Sequence, residues 1–335
     1  MPHRDIVTIG ASAGGVEALR FLVGKLPAKF DASVLITMHL AEDFPSTLDH
    51  ILTRAGSLPA QFARENEKIE RGRIYLAPPK RHLLLSGDRL ELGHGPRENN
   101  ARPAIDPMFR SVALCCGGRS VGVVLSGMLG DGAAGLRALK QCGGLSVAQK
   151  PSDAAFPEMP ATAVRRALPD HVVGLAELPA LLKKLVQQPV GEALPIPHGL
   201  SFEVEIARSG GLTMKEMDRI GRRSVLACPD CHGVMWEIDE GDLVRYRCHV
   251  GHAYTAELMK YAIDENLARA LGSALRALDE RIAITEKLHA KAADLRHNNS
   301  AEWWQRRLDD TRREAEVIRE AIMRMERIGT EKVES

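Results

Sequence analysis

Hydrophobic positions follow two regimes along this chain. Up to about Val186, short apolar runs rich in β-branched residues alternate with stretches whose apolar residues recur at helical spacing. Six runs read as strands: Ile6–Ile9, Ser33–Thr37, Arg73–Ala77, Val121–Leu125, Leu145–Ala148 and His171–Val173. Helical stretches fill the gaps, as from Gly132 to Cys142, where Gly143-Gly144 supplies a stop. The alternation predicts an α/β fold, a largely parallel doubly wound sheet with helices on both faces. Leu83 to Leu92, turning at Gly87-Asp88, predicts an antiparallel hairpin added to one sheet edge. Beyond Val186 the pattern breaks, because Pro189, Gly191, Pro195, Pro197 and Gly199 interrupt every period. Met235 to Arg247 then gives two short strand-like runs about Glu240-Gly241-Asp242. From Thr255 to Ile328 proline disappears; Leu271, Leu275, Leu278 and Ile282 form one stripe, and Trp304, Leu308, Ala315, Ile318, Ile322 and Met325 another. These predict an amphipathic helical hairpin, broken at His297-Asn298-Asn299-Ser300. The expected organisation is a domain over 1–186, a linker over 187–226, a small module over 227–254 and a coiled-coil-like segment over 255–329.

Composition narrows the function classes. In 335 residues, 45 Lys plus Arg against 44 Asp plus Glu leave a formal charge of +1, so no basic face for nucleic acid is expected. The N-terminus lacks a signal-like apolar region and nowhere do eighteen apolar residues run together, so a cytoplasmic protein without membrane insertion is expected. Cys115, Cys116 and Cys142 read as buried small hydrophobes in a reducing compartment. From Ala301 to Ile328 seven basic residues balance seven acidic ones, a solvated face. The helices therefore pack on each other, form a homo-oligomer, or dock on helical signalling proteins.

Candidate chemistry begins at Gly10-Ala11-Ser12-Ala13-Gly14-Gly15, where the first apolar run gives way to a helical one. A serine at such a corner stands above the sheet end, with Gly10, Gly14 and Gly15 leaving it unshielded, the logic of a nucleophile elbow. The same turn could cradle a phosphate. In open parallel sheets, ligands bind beyond the carboxyl ends of the strands. Ser12 stands there after the first strand, His39 after the second and Asp131 after the Val121 to Leu125 strand. A serine needs a neutral imidazole to take its proton, and a carboxylate to orient that imidazole. Asp106 and Asp153 are weaker candidates for the third role. Nucleotide binding is disfavoured by His39, which stands where a dinucleotide domain places an acid for the ribose.

In the second half, Cys228-Pro229-Asp230-Cys231 and Cys248-His249-Val250-Gly251-His252 frame the strand-like runs. A knuckle, a hairpin and a Cys-x3-His pair would bring three thiolates and one imidazole to a structural Zn²⁺. Cys228, Cys231, Cys248 and His252 are the expected ligands of this zinc-ribbon-like module; His249 and His232 are alternatives for the fourth. A redox CxxC would sit in a βαβ context, which is missing. Metal binding would stabilise the module only, so a chain ending near Val186 is expected to keep its activity.

Five motifs in order, Gly10 to Gly15, Met38-His39-Leu40, Ile74 to His82, Arg102-Pro103-Ala104-Ile105-Asp106 and Leu125 to Gly135, together closely resemble the catalytic domain of the chemotaxis protein-glutamate methylesterases (CheB) over residues 5 to 186. The resemblance implies Ser12 as nucleophile, His39 as general base and Asp131 as its partner. It further implies the Met128 backbone N–H, with Gly14 beside the serine, as oxyanion donors. Implied too are hydrolysis of glutamyl methyl esters on chemoreceptor-like helical proteins without a catalytic cofactor, and a related glutamine deamidation. Two departures stand out: Ala13 replaces a common threonine, and only Met1 to Arg4 precede the first strand, where the family usually has a receiver domain. Activity independent of a phosphodonor is therefore expected. The rival reading is a non-catalytic signalling adaptor that keeps this fold for binding.

Overall fold

The computed structural model describes residues 3–40, 46–190, 194–241 and 243–330. Met1, Gly191 and Asp242, which enter the expectations above, lie outside the described residues. The chain begins with β1 (Ile6–Ala11), α1 (Gly15–Lys25), β2 (Ser33–Met38), α2 (Leu48–Ala55), β3 (Ala60–Phe62), β4 (Ile74–Leu76), β5 (His82–Ser86) and β6 (Arg89–Gly93). It continues through α3 (Ile105–Cys116), β7 (Ser120–Val124), α4 (Ala133–Gln141), β8 (Leu145–Gln149), α5 (Glu158–Ala167), β9 (His171–Val173) and α6 (Leu178–Val186). Then follow α7 (Leu200–Ser209), α8 (Met214–Ile220), β10 (Arg222–Ala227), β11 (Val234–Asp239), β12 (Val244–Cys248), β13 (Ala253–Thr255), α9 (Ala256–Asp294) and α10 (Asn298–Thr330).

Seven parallel strands in the order β3-β4-β2-β1-β7-β8-β9 make the main sheet. The doubly wound fold is as the alternation predicts, with β3 added. Strand alternation sends Val7 and Ile9 to one face, with Leu19 and Leu22 of α1, Leu52 of α2 and Leu182 of α6. Ile6, Val124 and Ala148 meet the other face, with Phe109 of α3, Leu136 of α4 and Met159 of α5. Each such fully buried Val, Leu, Ile, Phe or Met side chain contributes about 1.5–3 kcal/mol. Because β2 and β7 flank β1 on opposite sides, the chain reverses direction of travel there, and the carboxyl ends of these three strands converge.

The expected hairpin forms as β5 and β6, but as a separate two-stranded sheet rather than an extension of the main one. Its leucines, including Leu83, Leu85 and Leu90, enter the α3 side of the core, and the Leu85 N–H is taken by Ser111 Oγ of α3 at 3.0 Å. Cys116 and Cys142 are buried as expected, whereas Cys115 is exposed.

Residues 187–226 are not a bare linker, for they hold α7, α8 and β10. Residues 1–259 form one compact unit, so the boundary at 187 does not separate compact bodies. α7 lies along the end of β6, accepting the His94 and Gly95 N–H groups at Arg208 O (2.9 Å) and Ala207 O (3.1 Å). Strands β10 to β13 form an antiparallel sheet around the fully buried Trp236. A buried ion cluster joins this sheet to the α/β body. Glu98 pairs with Arg110 of α3 and Arg247 of β12, and Glu203 of α7 pairs with Arg245 of β12 at 2.7 Å.

A second compact unit begins at residue 260 and holds most of α9 together with α10, which carry the predicted stripes. Leu308 and Ala315 are buried, and Arg312–Glu286 and Arg319–Asp279 pairs at 2.7 Å join the two helices. The break falls at 295–297, slightly before the expected one: of the four residues His297 to Ser300 only His297 lies in it, and Asn298, Asn299 and Ser300 begin α10. No helix among the described residues is long and apolar enough to cross a membrane.

Candidate active site and cysteine–histidine cluster

The register of β1 with β2 pairs Ala11 with Met38, so the next residues, Ser12 and His39, leave the sheet side by side. The His39 N–H donates to Ala11 O at 3.2 Å and the Ser12 N–H to Ser126 O at 3.0 Å, which fixes both turns to the strand ends. The turn needs Gly14, whose φ of +69° lies in the left-handed region. A Cβ there would also stand 2.9 Å from both Ala155 Cβ and Ser126 Oγ. Ser12 Oγ lies 3.1 Å from His39 Nδ1, and His39 Nε2 lies 2.8 Å from Asp131 Oδ2. The sequence puts these three at one sheet edge, and the structure links them in one hydrogen-bonded line. With Nε2 donating to the carboxylate, Nδ1 is left with a lone pair facing the hydroxyl.

Asp131 is buried and surrounded by donors. Oδ2 also accepts from Ile105 N–H (2.6 Å), and Oδ1 from Asn99 Nδ2 (3.0 Å), Asp106 N–H (3.2 Å) and Gly132 N–H (2.9 Å). Burial opposes its ionisation, but His39 first, then the Ile105 N–H and Asn99, hold its pKa down to about 2. Asp131 thus stays a carboxylate throughout the working range. Asp106 sits on the other side of Asn99, whose Nδ2 donates to its Oδ2 at 3.1 Å. Burial, with the neighbouring Asp131 charge, pushes Asp106 up to about 7. Asp153, the remaining candidate, is bonded to Gln149 and the Leu175 N–H. Asn99 was missed in the sequence; only its place in a polar Asn-Asn loop hinted at an unusual backbone, and its φ is +51°.

A pH-dependent stability effect follows for Asp106. A folded pKa above the unfolded one gives stability that is present at low pH and lost as pH rises through about 7. Asp106→Asn, which cannot ionise, should therefore gain on wild type by about 2–3 kcal/mol between about pH 5 and pH 8. Denaturant midpoints of both proteins across that range check this, and an unchanged difference would contradict it.

The loop after β7 closes over Ser12. Gly127 comes so near that a Cβ would lie 2.9 Å from Ser12 Cβ and 2.6 Å from Met159 Cε. Leu129 takes a positive φ of 65°, its N–H held by Glu158 Oε2 at 2.9 Å. Among the described residues the Met128 N–H between them meets no acceptor. An unpartnered amide beside a hydroxyl is a ready donor for a developing oxyanion.

The family model described as CheB methylesterase matches residues 7–182. The chain belongs to the CheB methylesterase family. A protein-glutamate methylesterase/protein-glutamine glutaminase of Methanosarcina mazei is 35% identical over 192 residues, covering 55% of this chain and 52% of the relative. A relative from Leptospira interrogans is 33% identical over 184 residues, covering 55% of this chain and 95% of the relative. The CheB methylesterase catalytic domain of Thermotoga maritima superposes with a TM-score of 0.52 at 28% identity, covering 54% of this chain and 98% of that structure. The chain spans about half the length of the Methanosarcina relative.

The cysteine–histidine cluster lies outside the CheB match. Cys228, Cys231, Cys248 and His252 offer ligand atoms that all lie within 4.8 Å of one another. Three of the edges are short: His252 Nδ1 is 3.7 Å from Cys228 Sγ and 3.6 Å from Cys248 Sγ, and Cys231 Sγ is 3.7 Å from Cys248 Sγ. A tetrahedron with Zn–S bonds of about 2.3 Å has edges of about 3.8 Å, so the donor set fits that ion. Hydrogen bonding from Cys228, then His252 and Cys231, holds the Cys248 thiol near 3, against burial, which makes it a thiolate. Asp230 backs the site: it accepts from Tyr254 at 2.7 Å and lies 3.7 Å from His252 Nε2. His249 and His232 are not in the cluster.

Proposed function

We propose that this chain hydrolyses glutamyl methyl esters on chemoreceptor-like helical proteins, with Ser12, His39 and Asp131 as its catalytic residues. The observation that supports this is the hydrogen-bonded line from Ser12 Oγ through His39 to a buried, ionised Asp131, at the mouth of a methylesterase-family sheet. His39 Nδ1 takes the serine proton as Oγ attacks the ester carbonyl, and the Met128 N–H steadies the oxyanion. The acyl–oxygen bond then breaks, His39 returns the proton to the departing methoxide, and methanol leaves. Water, activated by the same imidazole, releases the glutamate carboxylate and restores the serine. An amide leaves by the same steps as ammonia, so glutamine on the same substrate is within reach of this site.

Two measurements test the reading. A small activated ester should acylate Ser12, detected by mass spectrometry of its peptide, and His39→Ala should abolish the adduct. An adduct elsewhere, or one indifferent to His39, would overturn it. The exposed Met128, Leu129 and Phe156 form an apolar rim suited to a substrate helix. Phe156→Ala should raise KM for a methylated receptor fragment about tenfold while leaving kcat on a small ester unchanged. Equal KM values in mutant and wild type would remove Phe156 from substrate binding.

A further inference from the structure

The cysteine–histidine cluster is wired to the Asp131 carboxylate through four residues that neither motif contains, Arg247, Ala253, Glu98 and Asn99. Cys248 ends β12 and His252 precedes β13; between them the chain turns tightly, with Cys248 N–H donating to His252 O at 3.0 Å and Gly251 N–H to Cys248 O at 2.9 Å. The residues just outside this turn, Arg247 and Ala253, are register partners. Both grip the loop that carries Asn99. Arg247 Nη1 and Nη2 donate to the two Glu98 oxygens at 3.0 and 2.9 Å, and Ala253 O accepts the Asn99 N–H at 2.8 Å. Arg247 Nη1 also donates to Gly251 O at 2.9 Å, inside the turn. Asn99, held in the left-handed region, then spans Asp106 and Asp131 with one amide nitrogen.

We propose that Cys228, Cys231, Cys248 and His252 bind one Zn²⁺ whose occupancy holds Asn99 in place, and that Asn99 is a positioning residue for the Asp131–His39 pair. The inference rests on the ester-hydrolase reading above and extends it, because it makes the metal module part of the active-site support. The physical chain has few links. Without the metal, three thiols and an imidazole packed within 4.8 Å lose the charge that binds them, and the turn at 249–251 is left with its backbone bonds and the single Arg247 contact to Gly251 O. Loosening it withdraws the Ala253 carbonyl and the Arg247 guanidinium from residues 98 and 99. The Asn99 amide then no longer separates two carboxylates that repel each other across it, and Asp131 loses a donor at Oδ1. The sequence reading, which confines the metal to stabilising its own module, has no place for this link.

The experiment uses the full-length protein as purified, stripped of metal with a chelator, and re-supplied with Zn²⁺ alone. The expectation is one zinc per chain, a fall of about 10- to 100-fold in kcat on a small ester after stripping with KM little changed, and recovery on adding Zn²⁺. Asn99→Ala, with its zinc still bound, should show the same fall in kcat, and stripping it should cost little more, since both changes break one path. Amide hydrogen exchange provides the readout that needs no activity: stripping should speed exchange at the Asn99 N–H while the β1 amides keep their protection. Absence of stoichiometric zinc, wild-type kcat in Asn99→Ala, or unchanged exchange at Asn99 after stripping would each overturn the proposal. A wild-type protein that hydrolyses no ester would instead count against the proposed function, and the exchange measurement would still decide the coupling.

Discussion

Alanine at Ser12 or at His39 is expected to lower kcat on a methyl ester by roughly 10⁴- to 10⁶-fold, with the double mutant scarcely worse than either single. The non-additivity is the informative part. Ser12 and His39 share one hydrogen bond, and once either is gone the other has no proton to exchange with it. Neither change should disturb the fold, because Ser12 is only partly buried and the His39 side chain is 23% exposed, while the turns are fixed by backbone bonds. Steady-state kinetics on the singles and the double, with thermal melts as a control, give the answer. Multiplying rather than saturating losses would mean that the two residues act in separate steps.

The second large effect concerns stability. Glu203→Ala should destabilise residues 1–259 by about 3–5 kcal/mol, since it leaves Arg245 buried without its main partner and removes a second acid from Arg110 and Arg247. Burial opposes ionisation of Glu203, yet Arg245, Arg110 and Arg247 outweigh it and hold its pKa far below the carboxylate range. A depressed folded pKa means stability that is present above the unfolded value and lost as pH falls beneath it. The mutant should therefore lose most at neutral pH and approach wild type in acid, opposite in sign to Asp106→Asn. Urea midpoints at about pH 7 and about pH 2, beneath the unfolded value by more than two units, test this. A loss of less than about 1 kcal/mol at neutral pH would show that the cluster contributes packing but little electrostatic stabilisation.

What could be read from the sequence divides along physical lines. β1, β2 and β7 and the residues that follow them were legible because strand, turn and helix signals are local, and parallel pairing then brings the strand ends together. The donors Cys228, Cys231, Cys248 and His252 were legible for the same reason, since a knuckle and a hairpin are short-range devices. β3 was missed because three half-buried residues, Ala60–Phe62, carry no periodicity. α7 was hidden behind Pro195 and Pro197, although α8 announces itself with the capping box Thr213–Glu216. Glu203 reads as a surface residue until Arg110 and Arg245, 93 and 42 positions away, are brought against it by the fold. Asn99 is the clearest case. Its two carboxylate partners and its carbonyl anchor come from three different parts of the chain, and no spacing rule could assemble them.

The most direct test of the account follows the ester methyl group itself. A receptor fragment carrying ¹³C-labelled glutamyl methyl esters, incubated with full-length protein and observed by NMR, should convert the ester methyl signal into free methanol. Ser12→Ala at the same concentration should leave the ester intact. Methanol release by Ser12→Ala at the wild-type rate, or a wild-type protein that leaves the ester untouched, would contradict it.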